Sequence, residues 1–156
     1  MERLTTRDLM TNHVIAVGRR EDLASVHELM FEHGIRHLPV IDEERRVIGI
    51  ISHRDVMGTV LSGSQYLPVT ELMDLLRKMR VAEVMTSQVE TIGPEESLAE
   101  AGRLMLESKF GCLPVTEGDR LIGIITEADF VRRMVEELEQ AERAFEQPGP
   151  LRFAAH

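Results

Sequence analysis

Two apolar runs, each closed by a hydroxyl and an aspartate, set the pattern of the chain. Val47-Ile48-Gly49-Ile50-Ile51 leads into Ser52-His53-Arg54-Asp55, and Leu121-Ile122-Gly123-Ile124-Ile125 leads into Thr126-Glu127-Ala128-Asp129. A short run rich in β-branched residues predicts a buried strand, and Ser/Thr-x-x-Asp at its end predicts the first turn of a helix. The same elements are predicted around both corners. A short strand comes first, over about Val14–Val17 and Val89–Ile92. A helix follows over Asp22–His33 and Ser97–Ser108, with Leu23, Val26 and Met30, or Leu98, Ala101 and Met105, at helical spacing. Gly34 suits the stop of the first of these helices. A hairpin is next, Leu38–Ile41 with Val47–Ile51 and Leu113–Thr116 with Leu121–Ile125. Pro39 and Pro114 lack a backbone donor and suit a strand start or an edge. A second helix closes each unit.

The order repeats because the sequence repeats. Leu9-Met10-Thr11 returns as Val84-Met85-Thr86, and Leu38-Pro39-Val40 as Leu113-Pro114-Val115, 75 residues on; from Gly49 to Gly123 the offset is 74. The missing residue falls in the polar loop 42–46, where a hairpin tip tolerates it. The predicted fold class is α/β: two pseudo-symmetric β-α-β-β-α units, each too small to cover its own sheet, packed through their sheets around one shared core. The expected division is a first repeat over 1–62, a linker with an amphipathic helix over 63–80, a second repeat over 81–135, and a helical extension with a loose tail over 136–156. In the linker, Gly63-Ser64 reads as a break, Pro68 suits a first helical turn, and Leu72, Met73, Leu75, Leu76 and Met79 form a stripe. After Asp129, Val131, Met134, Leu138, Ala141 and Phe145 form a seam for another helix, which Pro148-Gly149-Pro150 ends.

Composition narrows the function. A formal net charge of −9 argues against a nucleic-acid binder but leaves room for a small anion in a local basic pocket. With one cysteine, Cys112, no intrachain disulfide can form, and its bland reading is a small core residue. No stretch is long and apolar enough to cross a membrane, and the N-terminus has no signal-peptide core, so a cytoplasmic protein is expected. His27, His33 and His37 read as solvated histidines rather than metal ligands. No phosphate-binding lysine loop, GxGxxG, HExxH or nucleophile elbow is present, and no enzymatic activity is expected.

The corners carry two readings. Singly, Ser52-x-x-Asp55 and Thr126-x-x-Asp129 are capping boxes. Yet each lies where a strand ends and a helix begins, the usual ligand edge of an α/β sheet, where a carboxylate can hold two vicinal ribose hydroxyls and the helix N-terminus favours an anion.

Residues 8–57 and 83–131 resemble a tandem pair of cystathionine-β-synthase (CBS) domains. The resemblance rests on Asp8-Leu9-Met10-Thr11, His37-Leu38-Pro39-Val40 and Gly49-Ile50-Ile51-Ser52-x-x-Asp55. Their counterparts are Glu83-Val84-Met85-Thr86, Cys112-Leu113-Pro114-Val115 and Gly123-Ile124-Ile125-Thr126-x-x-Asp129. It implies a regulatory module that binds an adenine nucleotide (AMP, ADP or ATP) between its repeats, without a cofactor or metal, as a homodimer acting on an unidentified partner protein. S-adenosylmethionine as the ligand, or a structural dimerisation module with none, are the alternatives. Carried over, the resemblance gives a main site with Thr126 and Asp129 for the ribose, Thr91, Ile92, Phe110 and Gly111 along the adenine, and Arg36 and His37 at the phosphates. A weaker site would have Ser52, Asp55, Ala16, Val17 and Ile35, with Gly111 and Cys112 leaving it without a cationic side chain from across the seam.

Overall fold

The structure, a computed structural model, describes residues 3–63, 67–146 and 149. Seven helices and five strands follow one another among them: α1 Thr6–Leu9, β1 Val17–Gly18, α2 Leu23–His33, β2 His37–Ile41, β3 Val47–Ser52, α3 His53–Gly63, α4 Val69–Lys78, α5 Val81–Val84, α6 Leu98–Ser108, β4 Cys112–Glu117, β5 Arg120–Thr126 and α7 Glu127–Glu146. The fold is the expected α/β pair of pseudo-symmetric units. Equivalent helices begin and end alike. Asp22 accepts from the Ser25 amide at 2.9 Å to start α2, and Ser97 from the Glu100 amide at 3.1 Å to start α6. Both helices stop on a left-handed residue, Gly34 (φ 62°) in one unit and Lys109 (φ 56°) in the other.

The hairpins also match residue for residue. Leu38 faces Ile51 and Val40 faces Gly49, while Leu113 faces Ile125 and Val115 faces Gly123, and each ladder shifts register one residue later, after Val40 or Val115. The first strands differ from expectation. Only Val17–Gly18 joins β2, in parallel, and Val89–Ile92 contributes a single bridge, Ile92 to Val115. The residues ahead of these contacts have been taken by the other repeat. Thr11 exchanges both backbone hydrogen bonds with Ile124 (2.8 and 3.1 Å), and Thr86 does the same with Ile50 (both 2.9 Å).

This exchange builds two core clusters rather than the one expected. Leu23, Val26, Leu38, Val40, Ile51 and Val56 pack with Val81, Val84 and Met85, which come from beyond the linker. Ala101, Met105, Leu113, Val115 and Ile125 pack with Leu9 and Met10, from the start of the chain. Each opening segment therefore lies on the opposite repeat. The glycines at the centres of β3 and β5 make room for it. A Cβ on Gly49 would stand 2.7 Å from Met85 Sδ and 3.0 Å from the Thr86 carbonyl; one on Gly123 would stand 2.6 Å from Met10 Sδ and 3.1 Å from the Thr11 carbonyl. The hairpin tips join as well, the Val47 amide donating to Asp119 O at 3.1 Å and the Leu121 amide to Arg45 O at 3.0 Å.

In the linker, Pro68 immediately precedes α4, whose Leu76 belongs to the first cluster and whose Met73 packs on it, with Met79 just past the helix end. The seam on α7 is exposed at Val131, Met134, Leu138 and Phe145. Ser64, the Pro148 and Pro150 stop and the tail to His156 lie outside the described residues.

Candidate ligand crevices at the two strand-to-helix corners

The capping boxes form as their sequence implies. At the start of α3, Asp55 Oδ2 accepts from the Ser52 amide at 2.7 Å and from Ser52 Oγ at 2.8 Å, while Ser52 Oγ accepts from the Asp55 amide at 3.1 Å. At the start of α7, Asp129 Oδ2 accepts from the Thr126 amide at 2.8 Å and from Thr126 Oγ1 at 3.0 Å. Each cap occupies one carboxylate oxygen. The second oxygens differ. Asp129 Oδ1 accepts from Arg132 Nη1 at 3.0 Å, whereas among the described residues the bonds to the Asp55 carboxylate end on Oδ2 alone.

A crevice opens at each corner, about 500 Å³ at Asp129 and about 640 Å³ at Asp55. The Asp129 crevice has Thr126, Asp129 and Arg132 on one wall, Thr11, His13, Val14 and Ile15 on another, and Ile35, Arg36, His37 and Gly111 on the third. The Asp55 crevice has Ser52, His53, Arg54 and Asp55, then Thr86, Val89 and Glu90, then Lys109, Phe110, Gly111 and Cys112, and again Arg36 and His37. Each is walled by both repeats.

The grouping of residues is crossed relative to the sequence-based expectation. Thr91 lines neither crevice, Ile92 is buried in the second cluster, and Phe110 lies at Asp55 instead of Asp129. Ala16 lines neither, Val17 is buried in the first cluster, and Ile35 lies at Asp129 instead of Asp55. The exchange is the cause: once Thr11 pairs with Ile124, the next residues run over the Asp129 corner, and once Thr86 pairs with Ile50, Val89 and Glu90 run over the Asp55 corner.

The expectation that no cationic side chain reaches the Asp55 crevice from across the seam meets one exception, Lys109; the other cations there come from its own repeat. Arg36 and His37 border both crevices, and the Asp55 crevice adds Arg54 and Lys109. The shared border exists because the His37 ring packs on Gly111, where a Cβ would stand 3.0 Å from Cε1 and Nε2. Lys109 was legible as the counterpart of Gly34 but not as a wall residue, since its backbone turns left-handed there.

The CBS domain family model matches residues 7–62 and 81–136. The chain belongs to the CBS domain family. It is 39% identical over 113 residues to a 33.4 kDa protein in a ribosomal RNA operon of Thermofilum pendens, a match that covers 72% of this chain and 34% of that protein. This CBS pair thus spans about a third of that relative's length. Hypoxic response protein 1 of Mycobacterium tuberculosis is 29% identical over 132 residues, covering 85% of this chain and 86% of that one. Among solved structures, the CBS-pair protein CBSX2 from Arabidopsis thaliana superposes with a TM-score of 0.75 at 28% identity, over 88% of this chain and 99% of that one. CBSX2 in complex with AMP superposes at 0.71, also at 28% identity, over 86% and 98%.

Two groups at the seam of the CBS pair have shifted protonation. Burial, followed by the charge of Glu127, pushes the Cys112 thiol up to about 12, so it stays protonated at neutral pH. Burial holds the His37 imidazole below its ordinary value, against the opposing pull of Glu127 and Asp55. Between the lowered folded-state value and the unfolded value of 6.5, the unfolded chain binds the extra proton. The His37 contribution to stability is therefore complete above pH 6.5 and is lost as pH falls through the folded-state value. His37→Gln is expected to flatten the slope of urea-unfolding free energy against pH across this window. An unchanged slope would place the proton elsewhere.

Proposed function

We propose that this CBS pair is a non-catalytic cytoplasmic sensor of an adenine nucleotide, AMP, ADP or ATP, that passes its ligand state to a partner protein. The observation that carries the reading is the Asp55 crevice: a carboxylate with an open oxygen shares a crevice walled by both repeats with Arg36, Arg54 and Lys109, beside the acids Glu90 and Glu127. The open oxygen suits a ribose hydroxyl, Val89 and Phe110 offer apolar surface to a base, and the cations suit phosphates. The AMP bound by CBSX2 supports the same ligand class.

A ligand touching both repeats favours one setting of them over others, and the partner reads that setting. The exposed apolar face of α7, Val131, Met134 and Leu138, is the surface assigned to a second copy of the chain; sedimentation as a monomer at micromolar concentration would remove the dimer from the reading. Isothermal titration with AMP, ADP, ATP and S-adenosylmethionine tests the ligand. Saturable binding of an adenine nucleotide is expected. A response to S-adenosylmethionine alone would change the ligand, and silence from all four would overturn the sensor reading.

A further inference from the structure

The duplicated corners differ at a place that bears directly on the corner carboxylate. Three residues past the corner aspartate, one turn along the helix, the second repeat has Arg132 and the first has Gly58. Residues three apart on a helix are neighbours. Arg132 uses this spacing to donate to Asp129 Oδ1 at 3.0 Å, and the same side chain lines the crevice. The Asp129 side chain is 11% exposed and the Arg132 side chain 66%, so the guanidinium reaches from solvent onto a nearly buried carboxylate. Gly58 has no such reach, and the space around its missing Cβ is open.

We propose that Arg132 adds to the selectivity of the Asp129 crevice for a phosphorylated nucleoside over the uncharged nucleoside by tying release of its carboxylate to phosphate, a coupling that the Asp55 crevice, with Gly58 in that place, does not have even though Arg36, Arg54 and Lys109 border it. The inference rests on the nucleotide-sensing reading. With Oδ2 already accepting two bonds in the cap, a ribose hydroxyl turns to Oδ1, where it must share the oxygen with the Arg132 guanidinium or displace it. A neutral nucleoside that displaces Arg132 replaces a bond charged on both sides with one charged only on the carboxylate and gives the guanidinium no new partner. A nucleotide brings its own anion, to which Arg132 can turn, beside Arg36 in the same crevice. Release of the carboxylate is thus tied to the presence of phosphate.

Titration calorimetry with AMP and adenosine tests the difference. In an Asp55→Ala background, which leaves the Asp129 crevice to be read, Arg132→Gln is expected to lower the AMP-to-adenosine affinity ratio about fivefold, mostly through tighter adenosine binding. In the otherwise unaltered chain, Gly58→Arg transplants the side chain onto α3, where an exposed helical arginine is well tolerated, and is expected to raise the ratio at the Asp55 crevice by a similar factor. Binding that persists with both ratios unchanged would overturn the role of Arg132 and leave the sensor reading standing. Failure of the unsubstituted protein to bind either compound would remove both.

Discussion

A chain carrying Asp55→Ala together with Asp129→Ala is expected to fold yet show no rise in melting temperature with AMP, ADP or ATP. Each substitution removes a cap to which two donors converge on one oxygen, at a cost of about 0.5–2 kcal/mol. That cost is visible but small beside the buried apolar clusters. The ligand effect is separable. A ligand at one hundred times its dissociation constant adds about 2.7 kcal/mol to the stability of a protein that binds it only when folded. Removing the carboxylates takes away the hydroxyl acceptors and with them this increment. Of the two single variants, Asp55→Ala is expected to lose more, because its second oxygen is open while that of Asp129 is held by Arg132. Differential scanning fluorimetry with and without nucleotide makes the measurement. An undiminished shift in the double variant would mean that the corners are caps and nothing more.

The second large effect is expected at the glycines where the exchanged segments cross the strands. In Gly123→Val, the added Cβ would begin 2.6 Å from Met10 Sδ and 3.1 Å from the Thr11 carbonyl. The thioether can move, but the carbonyl is held by the amide of Ile124 at 3.1 Å, so the backbone pairing itself must open. Overpacking of this kind costs about 1–3 kcal/mol before the lost hydrogen bonds are counted. In a chain of this size each kcal/mol lowers the melting temperature by about 2–4 °C. Because His13, Val14 and Ile15 follow directly from Thr11, the Asp129 crevice loses a wall at the same time, and nucleotide response there is expected to fall with stability. Gly49→Val repeats the effect at Met85 and Thr86 and at the Asp55 crevice. Urea unfolding within about 0.5 kcal/mol of the unsubstituted protein would show that the close approach is not required.

The architecture was legible in the sequence because it is written twice. Periodicity placed α2 and α6, Asp22 and Ser97 marked their starts, and the Leu-Pro-Val segments with the glycine-centred runs gave both hairpins. What local patterns do not encode is which repeat a segment lies on. Val14 through Val17 reads as a strand by residue type, but its first residues border a crevice and only Val17 and Gly18 enter the ladder. The same blindness crossed the site assignments. Ile35 and Phe110 were expected beside their own corner aspartates and stand beside the opposite ones. The contrast between Arg132 and Gly58 was visible in the letters, yet it acquires meaning only once Asp129 is known to have an oxygen left over from its cap.

A solitary repeat would lack part of its own core. Its first residues would find their resting place occupied by nothing of its own, and its β-hairpin would miss the valines and methionine that Val81, Val84 and Met85 bring to the first cluster. Two free copies could complete each other only by trading arms, an encounter that fails on dilution. Tethering them in one polypeptide turns that encounter into an intramolecular one at a fixed effective concentration, so a gene doubling would convert a fragile partnership of twins into a single heritable object.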